Sequence, residues 1–134
     1  MKWDSYFVEI AKVIASKSKD PNTKVGAVLV DHENRIIGTG YNGFPPGVEE
    51  TPERWEKPTK YAYVVHAEAN CLLHAIVKPK GHTMYTTMFP CTECAKLLAT
   101  SGVKRVVYLD DKYRNEVAET IFREMGISLS KFEG

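Results

Sequence analysis

The sequence predicts one α/β domain, a three-layer α-β-α sandwich built on a mixed five-stranded sheet. Three observations lead there. The chain has 134 residues, the length of a single domain. Two β-rich runs joined by a short polar turn read as an antiparallel hairpin. From residue 66 onward, helical runs alternate with short β-rich runs, the pattern of crossover helices between parallel strands, so helices should cover both faces.

Each element has its own warrant. Trp3, Tyr6, Phe7, Ile10, Ala11, Val13 and Ile14 give residues 3–17 the apolar stripe of an amphipathic helix, which Asp20-Pro21-Asn22 stops. The hairpin strands are Val25–Val30 and Arg35–Tyr41, turning through Asp31-His32-Glu33-Asn34. Residues 42–63 hold Pro45, Pro46, Gly47, Pro52 and Pro58 and a charged stretch; they read as a long irregular segment, a lid or partner surface rather than filler. Ala67, Ala69, Leu72, Leu73, Ala75 and Ile76 predict a helix over 66–77, ended by Pro79-Lys80-Gly81. A strand over 83–88, a helix over 92–101, a strand over 105–109 and a helix over 114–125 follow. Gly126 caps that last helix, and Ile127-Ser128-Leu129 is a short closing strand.

Composition excludes several classes. Lys plus Arg is 18 and Asp plus Glu is 17, for a net charge of +1, which argues against binding nucleic acid through bulk charge. No apolar run reaches the roughly 18 residues of a membrane helix. Lys2, Asp4, Glu9 and Lys12 interrupt the first apolar stretch, so it does not read as a signal peptide. A cytoplasmic protein is expected, and three cysteines, two of them spaced Cys91-Thr92-Glu93-Cys94, fit a metal or redox pair better than disulfides.

The chemistry gathers at two helix starts. Cys91 and Cys94, opening one helix, place two thiolates on one side of its first turn. His66, opening the preceding helix, supplies a third ligand, and three protein ligands leave a tetrahedral zinc with one open position, as in catalytic sites. Glu68, two residues beyond His66, reaches that position without ligating the metal. A redox reading of the two cysteines leaves His66 and Glu68 without a role. In this order the residues form the H-x-E…P-C-x-x-C pattern of zinc base deaminases.

The chain resembles the cytidine and deoxycytidylate deaminase superfamily, and within it the deoxycytidylate (dCMP) deaminases. Besides the zinc motif, the matching stretches are Ser18–Ala27 (SKDPNTKVGA), Gly40-Tyr41-Asn42-Gly43, His66-Ala67-Glu68-Ala69-Asn70, Phe89–Lys96 and Asp111-Lys112-Tyr113. Ala69 stands where the family usually has Leu, a packing change. The resemblance implies one catalytic Zn²⁺ per chain, because the segment before the zinc helix has no Cys or His for a second ion. It implies hydrolysis of dCMP to dUMP and ammonia, which feeds thymidylate synthesis, with Glu68 moving the protons. It also implies a homo-oligomer, a hexamer in many members, with dCTP as activator and dTTP as inhibitor.

Substrate contacts follow from the resemblance. Asn42 is the position that bonds sugar and ring edge; on plainer grounds Asn-Gly favours a positive-φ turn. Ala67, between His66 and Glu68 in the zinc motif, is a further substrate-binding position. Asn22, Thr23 and Lys24 should meet the 5′-phosphate, with Lys24 the leading cation, although Thr23 is equally a solvated loop residue. Tyr113 either packs near the nucleotide or is a half-buried interface tyrosine. Arg114 adds phosphate charge or begins a helix. His74 reads as a satisfied core or interface histidine and Cys71 as a small apolar packing residue.

Other readings of the motif are a bifunctional dCMP/dCTP deaminase, a tRNA or free-base deaminase on the same scaffold, and a non-catalytic zinc module. Balanced charge and the acidic stretch 49–56 disfavour an RNA substrate.

Overall fold

A computed structural model describes all residues 1–134. The elements in chain order are α1 (Trp3–Ala15), β1 (Gly26–Val30), β2 (Ile36–Tyr41), α2 (Pro52–Trp55), α3 (Lys60–Tyr63), α4 (Ala67–Leu73), β3 (Thr83–Met88), α5 (Thr92–Ser101), β4 (Arg105–Asp110), α6 (Glu116–Glu124) and β5 (Ser128–Lys131). The strands form one sheet in the order β2-β1-β3-β4-β5. β1 pairs antiparallel with both β2 and β3, and β3-β4 and β4-β5 are parallel, as the alternation of helices and strands predicts.

Both faces of the sheet are covered, so β1 is buried along its whole length. Its alternating side chains feed two cores. Val28 and Val30 meet Phe7, Val8 and Ala11 of α1 on one face. Ala27 and Leu29 join Cys71 of α4, Leu98 of α5 and Phe122 of α6 on the other. Burying a side chain such as Phe7, which has no exposed surface, contributes roughly 1.5–3 kcal/mol. The α4 layer sits unusually close to β2. A Cβ on Gly40 would lie 2.4 Å from both the Ala67 carbonyl oxygen and the Cys71 nitrogen, so only glycine lets the backbones approach that far.

Several boundaries differ from the sequence expectation. Residues 42–63 are not wholly irregular. Phe44 stacks on Trp55 at 4.3 Å and packs on Tyr63 at 5.4 Å, while the Arg54 guanidinium lies 4.7 Å above the Tyr63 ring. The segment thus has a small aromatic core of its own, and α2 and α3 are folded on it. The helix expected over 66–77 ends at Leu73, because the chain turns there and the Ile76 N–H donates to the Ile37 carbonyl of β2. The helix expected from 114 begins at Glu116, after Asn115 caps it by accepting from the Ala118 N–H at 2.7 Å. The closing strand is Ser128–Lys131, displaced toward the C-terminus from 127–129. Gly126 has φ +72°, the left-handed conformation expected of a helix stop. No helix is long and apolar enough to cross a membrane.

An ion pair fastens α1 to the sheet. Arg105 Nη2 donates to Asp4 Oδ2 at 2.7 Å, Nη1 to Oδ1 at 3.0 Å, and the Tyr85 hydroxyl donates to Oδ1 at 2.5 Å. The Arg105 hydrogen bond, helped by Tyr85 and opposed by desolvation, holds the Asp4 carboxyl below its ordinary value. A carboxyl depressed on folding stabilises above its unfolded pKa of about 3.9 and loses that contribution as pH falls toward the folded value. Thermal unfolding of Asp4→Asn is therefore expected to show a shallower fall of Tm below about pH 4 than the wild type. Identical Tm–pH slopes for the two proteins would exclude the coupling.

Candidate metal centre and substrate cleft

The three expected ligands converge. His66 is the residue before α4, Cys91 is the N-cap of α5, and Cys94 lies in the first turn of α5. His66 Nδ1 is 3.3 Å from Cys91 Sγ and 3.3 Å from Cys94 Sγ, and all three ligand atoms lie within 4.8 Å of one another. Bond lengths of about 2.0–2.3 Å around a tetrahedral zinc require donor separations of roughly 3.5–3.8 Å, so a slight outward relaxation fits the ion. The donor chemistry fits as well, with one imidazole and two thiols and an acid left outside the group.

The cysteine loop is held at both ends. The Cys94 N–H donates to Cys91 Sγ at 3.4 Å. Asn115 Nδ2, from the cap of α6, donates to the Pro90 carbonyl at 3.4 Å. The Cys91 thiol is drawn down to about 4, first by its hydrogen bond with Cys94 and then by His66 and the Cys94 N–H, against desolvation. Cys94 is pushed up by the same shared proton and by burial, a proton that a divalent cation would displace. Cys71 has no such partner: it is fully buried, and burial pushes its thiol up to about 12, so it packs and does not react.

Glu68 is 4% exposed and lies at the start of α4. Burial pushes its carboxyl up to about 7, with the His66 ring pulling the other way. A cation held by the three ligands would draw it further down, which leaves a carboxyl able to take and return a proton near neutral pH.

His66, Glu68 and Cys91 floor a cleft of about 240 Å³ bordered by Thr23, Asn42, Ala67, Met88, Phe89 and Tyr113. Four of the residues expected at the substrate are thus together: Asn42, Thr23, Ala67 and Tyr113. The Thr23 and Tyr113 hydroxyls are 3.4 Å apart across the rim. That hydrogen bond, with Lys112 and Lys57 nearby and desolvation opposing, lowers the Tyr113 phenol below its ordinary value. Asn42 is not a positive-φ turn residue; Asn34 alone among non-glycines has that conformation. Its side chain is buried and engaged: Oδ1 accepts from the Val25 N–H at 2.8 Å, and Nδ2 donates to the Thr23 carbonyl at 2.9 Å.

Asn22 and Lys24 are exposed and do not border the cleft. Arg114 is outside it too, paired with Glu119. His74 is the exposed C-cap of α4, neither core residue nor ligand. The cations on the cleft are instead Lys57 and Lys60, from the segment read as irregular. Lys60 is buried and its Nζ donates to Asp20 Oδ2 at 2.8 Å, whereas Lys57 is exposed and has no acidic partner. Removing one partner of a buried pair like Asp20–Lys60 strands a charge at a cost of about 3–5 kcal/mol. The sequence signal for Lys57 and Lys60 was there but slight: two cations just after the acidic stretch 49–56, shortly ahead of the zinc histidine.

Comparison with known proteins agrees with this geometry. Residues 1–110 match the family described as the cytidine and deoxycytidylate deaminase zinc-binding region. A human deoxycytidylate deaminase is 40% identical over 143 aligned positions, which cover 98% of this chain and 80% of the human protein. A deoxycytidylate deaminase of Mycobacterium phage D29 is 40% identical over 79% of this chain and 93% of its own. The crystal structure of dCMP deaminase from the cyanophage S-TIM5, in complex with dCMP and dUMP, superposes with a TM-score of 0.84 at 26% identity, covering 98% of this chain and 99% of that one. With the ligand triad, the buried acid and the mixed sheet already in place, these matches make the chain a member of the cytidine and deoxycytidylate deaminase family.

Proposed function

We propose that this protein deaminates dCMP hydrolytically to dUMP and ammonia, using one zinc ion held by His66, Cys91 and Cys94. The observation that carries the reading is the buried Glu68 beside that triad, at the floor of a cleft with a cationic rim. A non-catalytic zinc module would have no use for a buried, unpaired acid. The human and phage relatives named for this activity, and the cyanophage relative solved with dCMP and dUMP, support the substrate.

A zinc ion held by His66, Cys91 and Cys94 would supply a Lewis acid that makes a water more acidic. Glu68 accepts a proton from that water and delivers it to the pyrimidine ring nitrogen. The water oxygen bonds to C4 of the base. Glu68 then takes the proton of the new C4 hydroxyl and hands it to the exocyclic amine, the C4–N bond breaks as the C4 carbonyl forms, and ammonia leaves with uracil in place of cytosine. Phe89 and Met88 give the cleft apolar walls that keep bulk water from the base.

The phosphate end falls to Lys57 rather than Lys24 in this reading, because Lys57 is the cleft cation without an acidic partner. A charge-assisted hydrogen bond is worth about 1.5–3 kcal/mol, so Lys57→Ala should lower kcat/KM on dCMP by roughly 10–100-fold and leave turnover of deoxycytidine unchanged. Lys24→Ala should leave both unchanged. Steady-state ammonia release from dCMP, dCTP and deoxycytidine side by side measures this and also tells whether dCTP is a second substrate. Loss confined to Lys24→Ala would return the phosphate to the exposed loop.

The same reading carries a cytoplasmic homo-oligomer, of hexameric type, with dCTP and dTTP as regulators. The exposed Leu73, Ile76 and Val77 at the end of α4 suit subunit contacts.

A further inference from the structure

Asp20 is where three cleft-bordering elements meet. It is 2% exposed, and its Oδ1 accepts the N–H groups of Asn22 at 2.8 Å and Thr23 at 3.2 Å. Its Oδ2 accepts Lys60 Nζ at 2.8 Å and Asn42 Nδ2 at 3.3 Å. Thr23, Asn42 and Lys60 all border the cleft, yet they come from three separate stretches of chain. Ser18 adds a brace: its hydroxyl donates to the Asn42 carbonyl at 2.8 Å and accepts the Asp20 N–H at 3.2 Å. An ionised carboxylate accepts all four donors, two on each oxygen, with no proton of its own to place.

We propose that Asp20 is a positioning residue for substrate binding, holding the Asn42 amide, the Lys60 ammonium and the Thr23 turn in the arrangement that forms one wall of the cleft. The proposal rests on the dCMP reading only for the substrate used to test it. A merely structural Asp20 would serve to neutralise Lys60, and once Lys60 was gone it would have no further effect on binding.

That difference sets the experiment. Asp20→Asn, Lys60→Met and the double variant are compared by kinetics on dCMP and by hydrogen exchange of the Asn42 side-chain amide in ligand-free protein. The double variant contains no stranded buried charge. Its KM should exceed that of Lys60→Met by about fivefold or more with kcat within about twofold, the signature of lost binding without lost chemistry. Its Asn42 amide should also exchange faster than in Lys60→Met. Asp20→Glu, which keeps the charge and displaces the carboxylate by one methylene, should raise KM in the same way even if the double variant does not fold. Equal KM and equal exchange in the double variant and Lys60→Met, or a wild-type KM in Asp20→Glu, would overturn the proposal. If dCMP proves not to be the substrate, amide exchange alone decides it, so the two failures are told apart.

Discussion

Replacing Glu68 by Gln is expected to cut kcat on dCMP by about 10²–10⁴-fold while zinc stays bound at one ion per chain. The side chain is nearly isosteric, and Glu68 lies outside the ligand group, so the metal should not respond. Burial raises the carboxyl's affinity for a proton, and the amide can neither take a proton from water nor hand one to the ring. Metal content by elemental analysis and ammonia release together check this. Turnover within a factor of about three of wild type, with zinc retained, would remove Glu68 from the chemistry.

The second large effect concerns the ligands. Cys91→Ala should lose both zinc and activity, because two remaining ligands do not hold the ion against solvent. Stability gives a readout independent of turnover. An ion bound only by the folded state stabilises it by about 4 kcal/mol when its free concentration is a thousand times Kd. A chelator should therefore lower the unfolding temperature of the wild type by several degrees and leave that of Cys91→Ala unmoved. A chelator-sensitive Tm in the variant would mean that the ion is held elsewhere.

How much of this was readable from the chain varies by element. The triad and Glu68 were legible because metal chemistry needs particular residue types at particular spacings, and both halves of the motif open helices. The sheet was legible because its strands are short apolar runs between helices of ordinary length. Helix α4 was over-read because Leu73, Ile76 and Val77 continue an apolar pattern although they are exposed, so periodicity did not report burial there. Segment 42–63 was under-read for the opposite reason. Phe44, Trp55 and Tyr63 pack on one another across the segment, a contact with no short period. That is also why Lys57 was not among the expected phosphate contacts: the fold of that segment, rather than proximity to a strand in sequence, decides which lysine borders the cleft. Asn42 was placed correctly at the cleft, but its conformation is set by the bonds to Val25 and Thr23 and not by Asn-Gly turn preference.

The aromatic segment between β2 and α4 begins and ends at almost the same place. Gly43 and Val65 exchange both backbone hydrogen bonds, N–H to carbonyl at 3.1 and 2.8 Å. Whatever lies between them is therefore a closed loop hung from a fixed two-residue neck, and doubling its length costs only about 0.6 kcal/mol of closure entropy. The neck stands next to His66, and none of the three metal ligands lies within the loop. Lys60 is tied to Asp20 and the aromatic residues to one another, so the loop's freedom to change lies at its exposed positions, Lys57 among them. The closed loop thus joins the cleft as a side wall while the metal ligands are carried by the helix starts outside it.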